Sequence, residues 1–253
     1  MLRGLAQAST DISEMVADEV GTAAEMLETA EKKIYALRKG ERGDSLEHIG
    51  TIMVKVFDHL TELSQSDSAI PGLSTGLRDL DTKINGLNKS DLLVIAARPG
   101  MGKTSIALNI ALAAAKKTNK TVAFFSLEMS REQLAMRLLA NESFVDLGKL
   151  ITGKLSEEEW TKLGIASSAL SQTDIRVDDN PSISVAEMNA KCRRLDNLGV
   201  VLIDYLQLMT SAGTGQTSNN ANRVQVVSDI SRALKIMAKE LNVPVICLSQ
   251  LSR

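Results

Sequence analysis

The octet Ala97-Arg98-Pro99-Gly100-Met101-Gly102-Lys103-Thr104 stands between an apolar run, Leu92 to Ala96, and a helical pattern, Ser105 to Lys117. No other feature constrains the chain as much, because strand, glycine-bearing turn and helix in that order make a loop for nucleotide phosphates. Glycines at 100 and 102 let backbone N–H groups turn inward around phosphate oxygens, and the following helix presents its positive N-terminal end to the same anion. Lys103 supplies a point charge for the terminal phosphates, and the Thr104 hydroxyl is placed to hold Mg²⁺. Ala97 stands where the strict pattern has glycine, so this is the relaxed form of the motif.

The chain beyond residue 64 alternates apolar runs with helical patterns. Asp91 to Ala96, Thr121 to Ser126, Asp174 to Val177, Val200 to Ile203 and Val243 to Leu248 read as buried strands. Helical patterns fall near 104–117, 130–143, 156–170, 184–197 and 223–241, and Ser130-x-x-Gln133, Ser156-x-x-Glu159 and Ser184-x-x-Glu187 have the form of capping boxes. Such alternation predicts an α/β fold with a parallel sheet covered by helices on both faces, and ligands at the carboxyl ends of the strands.

Three further side chains come to that edge. Val200-Val201-Leu202-Ile203-Asp204 is an apolar strand ending in a carboxylate, suited to supporting Mg²⁺ directly or through water. Glu128 follows the strand 121–126, where a carboxylate of a neighbouring strand acts as general base on the water attacking a γ-phosphate, or else is a solvated first-turn Glu favoured by the helix dipole. Gln250 follows the last strand and is either a sensor of γ-phosphate or an ordinary strand-end amide.

The first 64 residues are helical in period and mostly polar. Thr22-x-x-Glu25 and Asp44-x-x-Glu47 have the form of capping boxes opening two helices. Met26, Leu27, Ala30, Ile34 and Leu37 make one narrow apolar stripe, and Ile49, Ile52, Val56, Leu60 and Leu63 make another. Two readings stay open: a hairpin closing on itself, or docking against the main domain or a neighbouring subunit. The chain therefore divides into 1–64 and 65–253.

Charge and composition exclude several classes. Residues 1–64 hold 7 Lys and Arg against 12 Asp and Glu, and residues 65–253 hold 22 against 19, so no basic footprint for strong non-specific duplex binding exists. Only 3% of residues are aromatic, which argues against a base-stacking platform. No apolar run has the length of a bilayer span and the N-terminus lacks a signal-peptide layout, so no membrane is expected and the chain reads as cytoplasmic. Cys192 and Cys247 are too few for a disulfide framework or a zinc site and read as buried, inert thiols. His48 and His59 stand three helical turns apart, too far to share a metal ion. Ser211 to Asn222, rich in Gly, Ser, Thr and Asn, reads as a surface loop or as a segment touching a nucleic-acid strand, with Arg223 the nearest cation.

Taken together, Ala97 to Thr104, Phe124-Phe125-Ser126-Leu127-Glu128-Met129-Ser130, Lys191-Cys192-Arg193-Arg194-Leu195, Ile203-Asp204-Tyr205-Leu206-Gln207-Leu208 and Leu248-Ser249-Gln250-Leu251-Ser252-Arg253 resemble the bacterial replicative DNA helicases of the DnaB family. The resemblance covers roughly residues 70–253. It implies a RecA-like motor that assembles as a homo-hexameric ring and uses ATP to move along single-stranded DNA, with primase and a helicase loader as partners. By position it implies Lys103 and Thr104 as phosphate and Mg²⁺ residues, Asp204 as the second metal carboxylate, Glu128 as catalytic base, Gln250 as phosphate sensor, and 211–222 as a channel loop. The N-terminal helices look like the family's linker, one helix of which packs on the adjacent subunit. The family's collar domain and the later motor strands, with their basic finger, have no counterpart here, so this chain alone is expected to bind or hydrolyse ATP weakly and not to unwind DNA. A RecA-like recombinase ATPase and a nucleotide-dependent assembly module are the competing readings; Tyr205-Leu206-Gln207 and the 249–253 ending lean towards helicase.

Overall fold

A computed structural model describes residues 2–18, 22–39, 47–65, 70–206 and 220–251. The chain divides into two units, Met1–Ala69 and Ile70–Arg253.

The first unit contains α1 (Leu2–Ala17), α2 (Ala23–Lys39) and α3 (Ile49–Gln65). The Thr22 box forms as expected: the Thr22 N–H donates to Glu25 at 2.8 Å, and the Glu25 N–H donates to the Thr22 hydroxyl at 3.4 Å. α1 packs on α2, burying Ala8 and pairing Asp11 with Lys33. Met26 and Ala30 are half-buried, whereas Leu27 and Ile34 remain exposed. The second expected box lies partly outside the described residues at Asp44. Glu47 instead receives the Lys55 ammonium, and α3 opens after His48, whose Nδ1 accepts the Gly50 N–H at 3.1 Å. None of the residues of α3 is buried, and Ile49, Ile52, Val56, Phe57 and Leu60 are exposed.

The second unit runs α4 (Arg78–Ile84), β1 (Leu92–Ala97), α5 (Lys103–Thr118), β2 (Thr121–Ser126), α6 (Arg131–Ser143), α7 (Leu147–Thr152), α8 (Glu157–Ser171), β3 (Ile175–Asp178), α9 (Val185–Arg193), β4 (Leu198–Asp204), α10 (Asn220–Leu241) and β5 (Val245–Gln250). The five strands form one parallel sheet in the order β1-β5-β4-β2-β3. Boxes at Ser130, Ser156 and Ser184 open α6, α8 and α9 as the sequence predicts. The short helices α4 and α7 are additions to that reading.

Alternation along the strands sorts the core into two layers. Val122, Phe124, Val200, Leu202, Ile246 and Leu248 pack with Leu108, Ile110 and Ala111 of α5. Ala123, Phe125, Val201, Ile203, Val245 and Cys247 pack with Met188 and Cys192 of α9 and with Leu234 and Met237 of α10. The last strand starts two residues later than its apolar run suggests. Pro244 has no N–H to give the ladder, so Val243 closes α10 by donating to the Ala238 carbonyl, and pairing begins where the Val245 N–H meets the Asp91 carbonyl at 2.8 Å. At its other end β5 runs on through Gln250, in register with Ala97. Both cysteines are buried, and burial pushes each thiol up to about 12, which makes them inert.

Candidate nucleotide and metal site

The carboxyl ends of β1, β5, β4 and β2 carry Ala97, Gln250, Asp204 and Ser126. Alternation places Asp204, Ser126 and Gln250 on the sheet face that holds Leu202, Phe124 and Leu248, the face covered by α5. Each of these polar residues therefore stands on the side where the phosphate loop turns into its helix.

The loop from Arg98 to Gly102 leaves β1 and closes through the Met101 N–H donating to the Arg98 carbonyl. Gly100 and Gly102 have φ of 75° and 84°, the left-handed region that other L residues enter at a cost of about 1–2 kcal/mol. A Cβ at either would meet no protein atom within 4 Å, so the requirement is for backbone conformation and for open space above the loop. Arg98, Pro99, Gly100 and Met101 are exposed.

At the start of α5 the side chains converge on β4. The Thr104 hydroxyl donates to Asp204 Oδ2 at 2.5 Å, across a separation of 100 residues. The Lys103 ammonium lies 5.2 Å from the centre of the Tyr205 ring, within cation–π range. Asp204 is completely buried, and its Oδ1 has no hydrogen-bond partner among the described residues. Burial pushes the Asp204 carboxyl above the usual carboxylate range; the nearby Glu128 charge adds to this, while the Thr104 hydrogen bond and the Lys103 and Arg137 cations oppose it. A buried carboxylate oxygen without a donor, beside a threonine hydroxyl, is a pair of hard oxygen ligands suited to Mg²⁺.

The direction of that shift has a thermal consequence. A raised folded-state pKa means that the folded chain binds the Asp204 proton more tightly than the unfolded chain. The ionised form then costs stability above the folded pKa, and the cost is relieved as pH falls through it. Asp204→Asn is expected to raise the Tm of the nucleotide-free chain at neutral pH by about 2–4 °C, flatten the acid limb, and abolish stabilisation by Mg²⁺ with nucleotide. Thermal melts of both proteins from pH 5 to 8 read this, and an unchanged or lower Tm at neutral pH overturns it.

Two expectations are refined by the sheet order. Glu128 does not leave a neighbour of β1, because β2 pairs with β4 and β3 and two strands separate it from the phosphate loop. Its proximity is to Asp204, whose carboxyl it perturbs. Gln250 ends β5, the strand next to β1, and the Leu251 N–H donates to the Ala97 carbonyl at 3.0 Å. Residues 211–219 lie outside the described residues, and α10 begins at Asn220. Among the described residues no group of three or more His, Cys, Asp or Glu side chains is gathered closely enough to hold a metal ion by itself.

Sequence reasoning missed Arg137. It lies on α6 and lines a groove with Ser105 and Asn109 of α5, close enough to Asp204 to favour that carboxylate's ionised form. Nothing in an amphipathic helix pattern marks one arginine among others, so only packing identifies it.

A family model for the DnaB-like helicase C-terminal domain matches residues 72–253. The chain belongs to the DnaB-like helicase family. The Replicative DNA helicase DnaB of Geobacillus stearothermophilus is 44% identical over 259 residues, covering 100% of this chain and 56% of that protein. The Replicative DNA helicase DnaC of Bacillus subtilis strain 168 is 43% identical over 256 residues, with the same coverage, 100% and 56%. The chain thus spans about half the length of the curated relatives it matches. Among solved structures, the ATPase domain of G40P has a TM-score of 0.73 at 32% identity, covering 83% of this chain and 73% of that one. A DnaB-like replicative helicase, described with its interactions with primase, has a TM-score of 0.68 at 29% identity, covering 98% and 58%. The parallel five-stranded sheet with helices on both faces is therefore a fold shared with the ATPase domain of G40P and with a DnaB-like replicative helicase, as the sequence reading of an α/β sheet expected. No helix among the described residues is long and apolar enough to cross a membrane.

Proposed function

We propose that this chain is the ATP-hydrolysing motor of a replicative DNA helicase, working in a homo-hexameric ring on single-stranded DNA in the cytoplasm. The observation that carries the reading is the meeting of Thr104 and the buried, half-satisfied Asp204 carboxylate at the mouth of the phosphate loop. Residues 97–104 bind the phosphates, through backbone N–H groups and the Lys103 ammonium. Thr104 and Asp204 would hold Mg²⁺, which would neutralise phosphate charge. Glu128 orients the attacking water and takes its proton as the new P–O bond forms and the bond to the leaving ADP oxygen breaks. Gln250 senses the terminal phosphate, a role that its register with Ala97 supports.

Residues 1–64 serve as the linker and residues 65–253 as the motor. In support, α3 exposes Ile49, Ile52, Val56, Phe57 and Leu60, an apolar surface of the kind that docks on another subunit. Primase and a helicase loader are the proposed protein partners, the first in keeping with the helicase structure described with primase. Sizing with and without ATP and Mg²⁺, together with ATP turnover with and without single-stranded DNA, tests the reading. A ring-sized assembly and DNA-stimulated turnover are expected. A monomer under all conditions overturns the ring, and turnover indifferent to DNA overturns the motor.

A further inference from the structure

The segment joining β2 to α6 holds Glu128 between fixed points. The Leu127 N–H donates to the Asp204 carbonyl at 2.7 Å, continuing the β2–β4 ladder one residue past Ser126. The Ser126 side chain, 1% exposed, then bridges the turn: its hydroxyl donates to the Met129 carbonyl at 2.7 Å and accepts the Met129 N–H at 3.1 Å. On the far side, Asp179, the residue after β3, takes both the Arg131 N–H at 3.2 Å and the Arg131 Nε at 2.5 Å. The Ser130 N–H is held by Gln133 at 3.1 Å. Backbone donors on both sides of Glu128 are thus committed, while the Glu128 side chain itself is exposed at the sheet edge.

The two anchors differ in origin. Ser126 is in register with Asp204, so the proposed metal carboxylate and the turn that carries the proposed base share one rung of the sheet. Asp179 lies 48 residues from Arg131 and arrives through the β2–β3 pairing, in which Phe125 is in register with Asp178. The Arg131 hydrogen bonds hold the Asp179 carboxyl below the usual carboxylate range, so the anchor is ionised at neutral pH. Asp178 beside it is occupied by Lys191 of α9, which leaves Asp179 to serve the turn. General-base geometry is demanding, since a shift of about 1 Å in a catalytic group costs on the order of 10²-fold in rate.

We propose that Ser126 and Asp179 are positioning residues that clamp the 127–130 turn and so fix Glu128 relative to Asp204. The proposal rests on the reading of Glu128 as the base. Ser126→Ala and Asp179→Ala are each expected to lower kcat by about 10–100-fold with KM within about threefold of the parent. Asp179→Asn, which keeps an oxygen for the Arg131 N–H, recovers part of the loss. Hydrogen exchange at Met129 in Ser126→Ala, and at Arg131 in Asp179→Ala, is expected to accelerate about tenfold or more, whether or not turnover is fast. In a Glu128→Gln background, under single-turnover conditions, neither substitution lowers the residual rate further.

Unchanged exchange, a rise in KM at constant kcat, or losses that multiply in the Glu128→Gln background each overturn the clamp. Should Glu128→Gln alone leave turnover intact, the base assignment fails, and the proposal fails with it. If Glu128→Gln abolishes turnover while both alanine variants hydrolyse ATP normally, the base stands and only the clamp falls.

Discussion

Glu128→Gln is expected to lower ATP turnover by about 10²–10⁴-fold while leaving nucleotide affinity within about threefold of the parent. The amide keeps the size and most of the polarity of the side chain but cannot take a proton from water. It also removes a negative charge from the surroundings of Asp204, and that charge is one cause of the raised Asp204 carboxyl. Metal and nucleotide binding should therefore be preserved or slightly strengthened, the opposite of what a damaged fold produces. Equilibrium binding of ATP with Mg²⁺, measured beside turnover, separates the two. Equal loss of binding and turnover would remove Glu128 from the reaction.

Lys103→Ala is expected to weaken binding of ATP with Mg²⁺ by about 100-fold or more, since each charged hydrogen bond to phosphate contributes about 1.5–3 kcal/mol and the ammonium can make two. In the nucleotide-free chain Lys103 rests near the Tyr205 ring at 5.2 Å, a contact of about 0.5–1 kcal/mol at an exposed site. The same substitution should consequently cost the free protein little stability. A melt unchanged within about 3 °C, together with lost binding by calorimetry, is the expected pair of results. Full-strength binding by the variant would mean that the octet is not a phosphate site.

Much of the site was legible because its parts are local. The octet announces itself through two glycines, a lysine and a threonine between an apolar run and a helix. Asp204 is marked by four apolar residues before it, and the capping boxes at Ser130, Ser156 and Ser184 form as read. Where the structure shifts an element's boundary from the sequence reading, individual residues near that boundary are responsible. Pro244 moved the start of β5, Gln250 stands inside the ladder as its last residue, and α3 opens after His48, with Glu47 paired to Lys55.

Local pattern determined most of the element types and marked the glycine-bearing loop and the carboxylates proposed to work with it, because hydrogen-bonding period, capping and glycine conformation depend on residues within a few positions of one another. Strand order was decided only by tertiary structure. The placing of β5 between β1 and β4, the partnership of Ser126 with Asp204, and the reach of Asp179 and Arg137 to the edge all depend on contacts between segments far apart in the chain. Such contacts are selected by which apolar faces can be buried together, a property of the whole sheet that no short window of sequence contains.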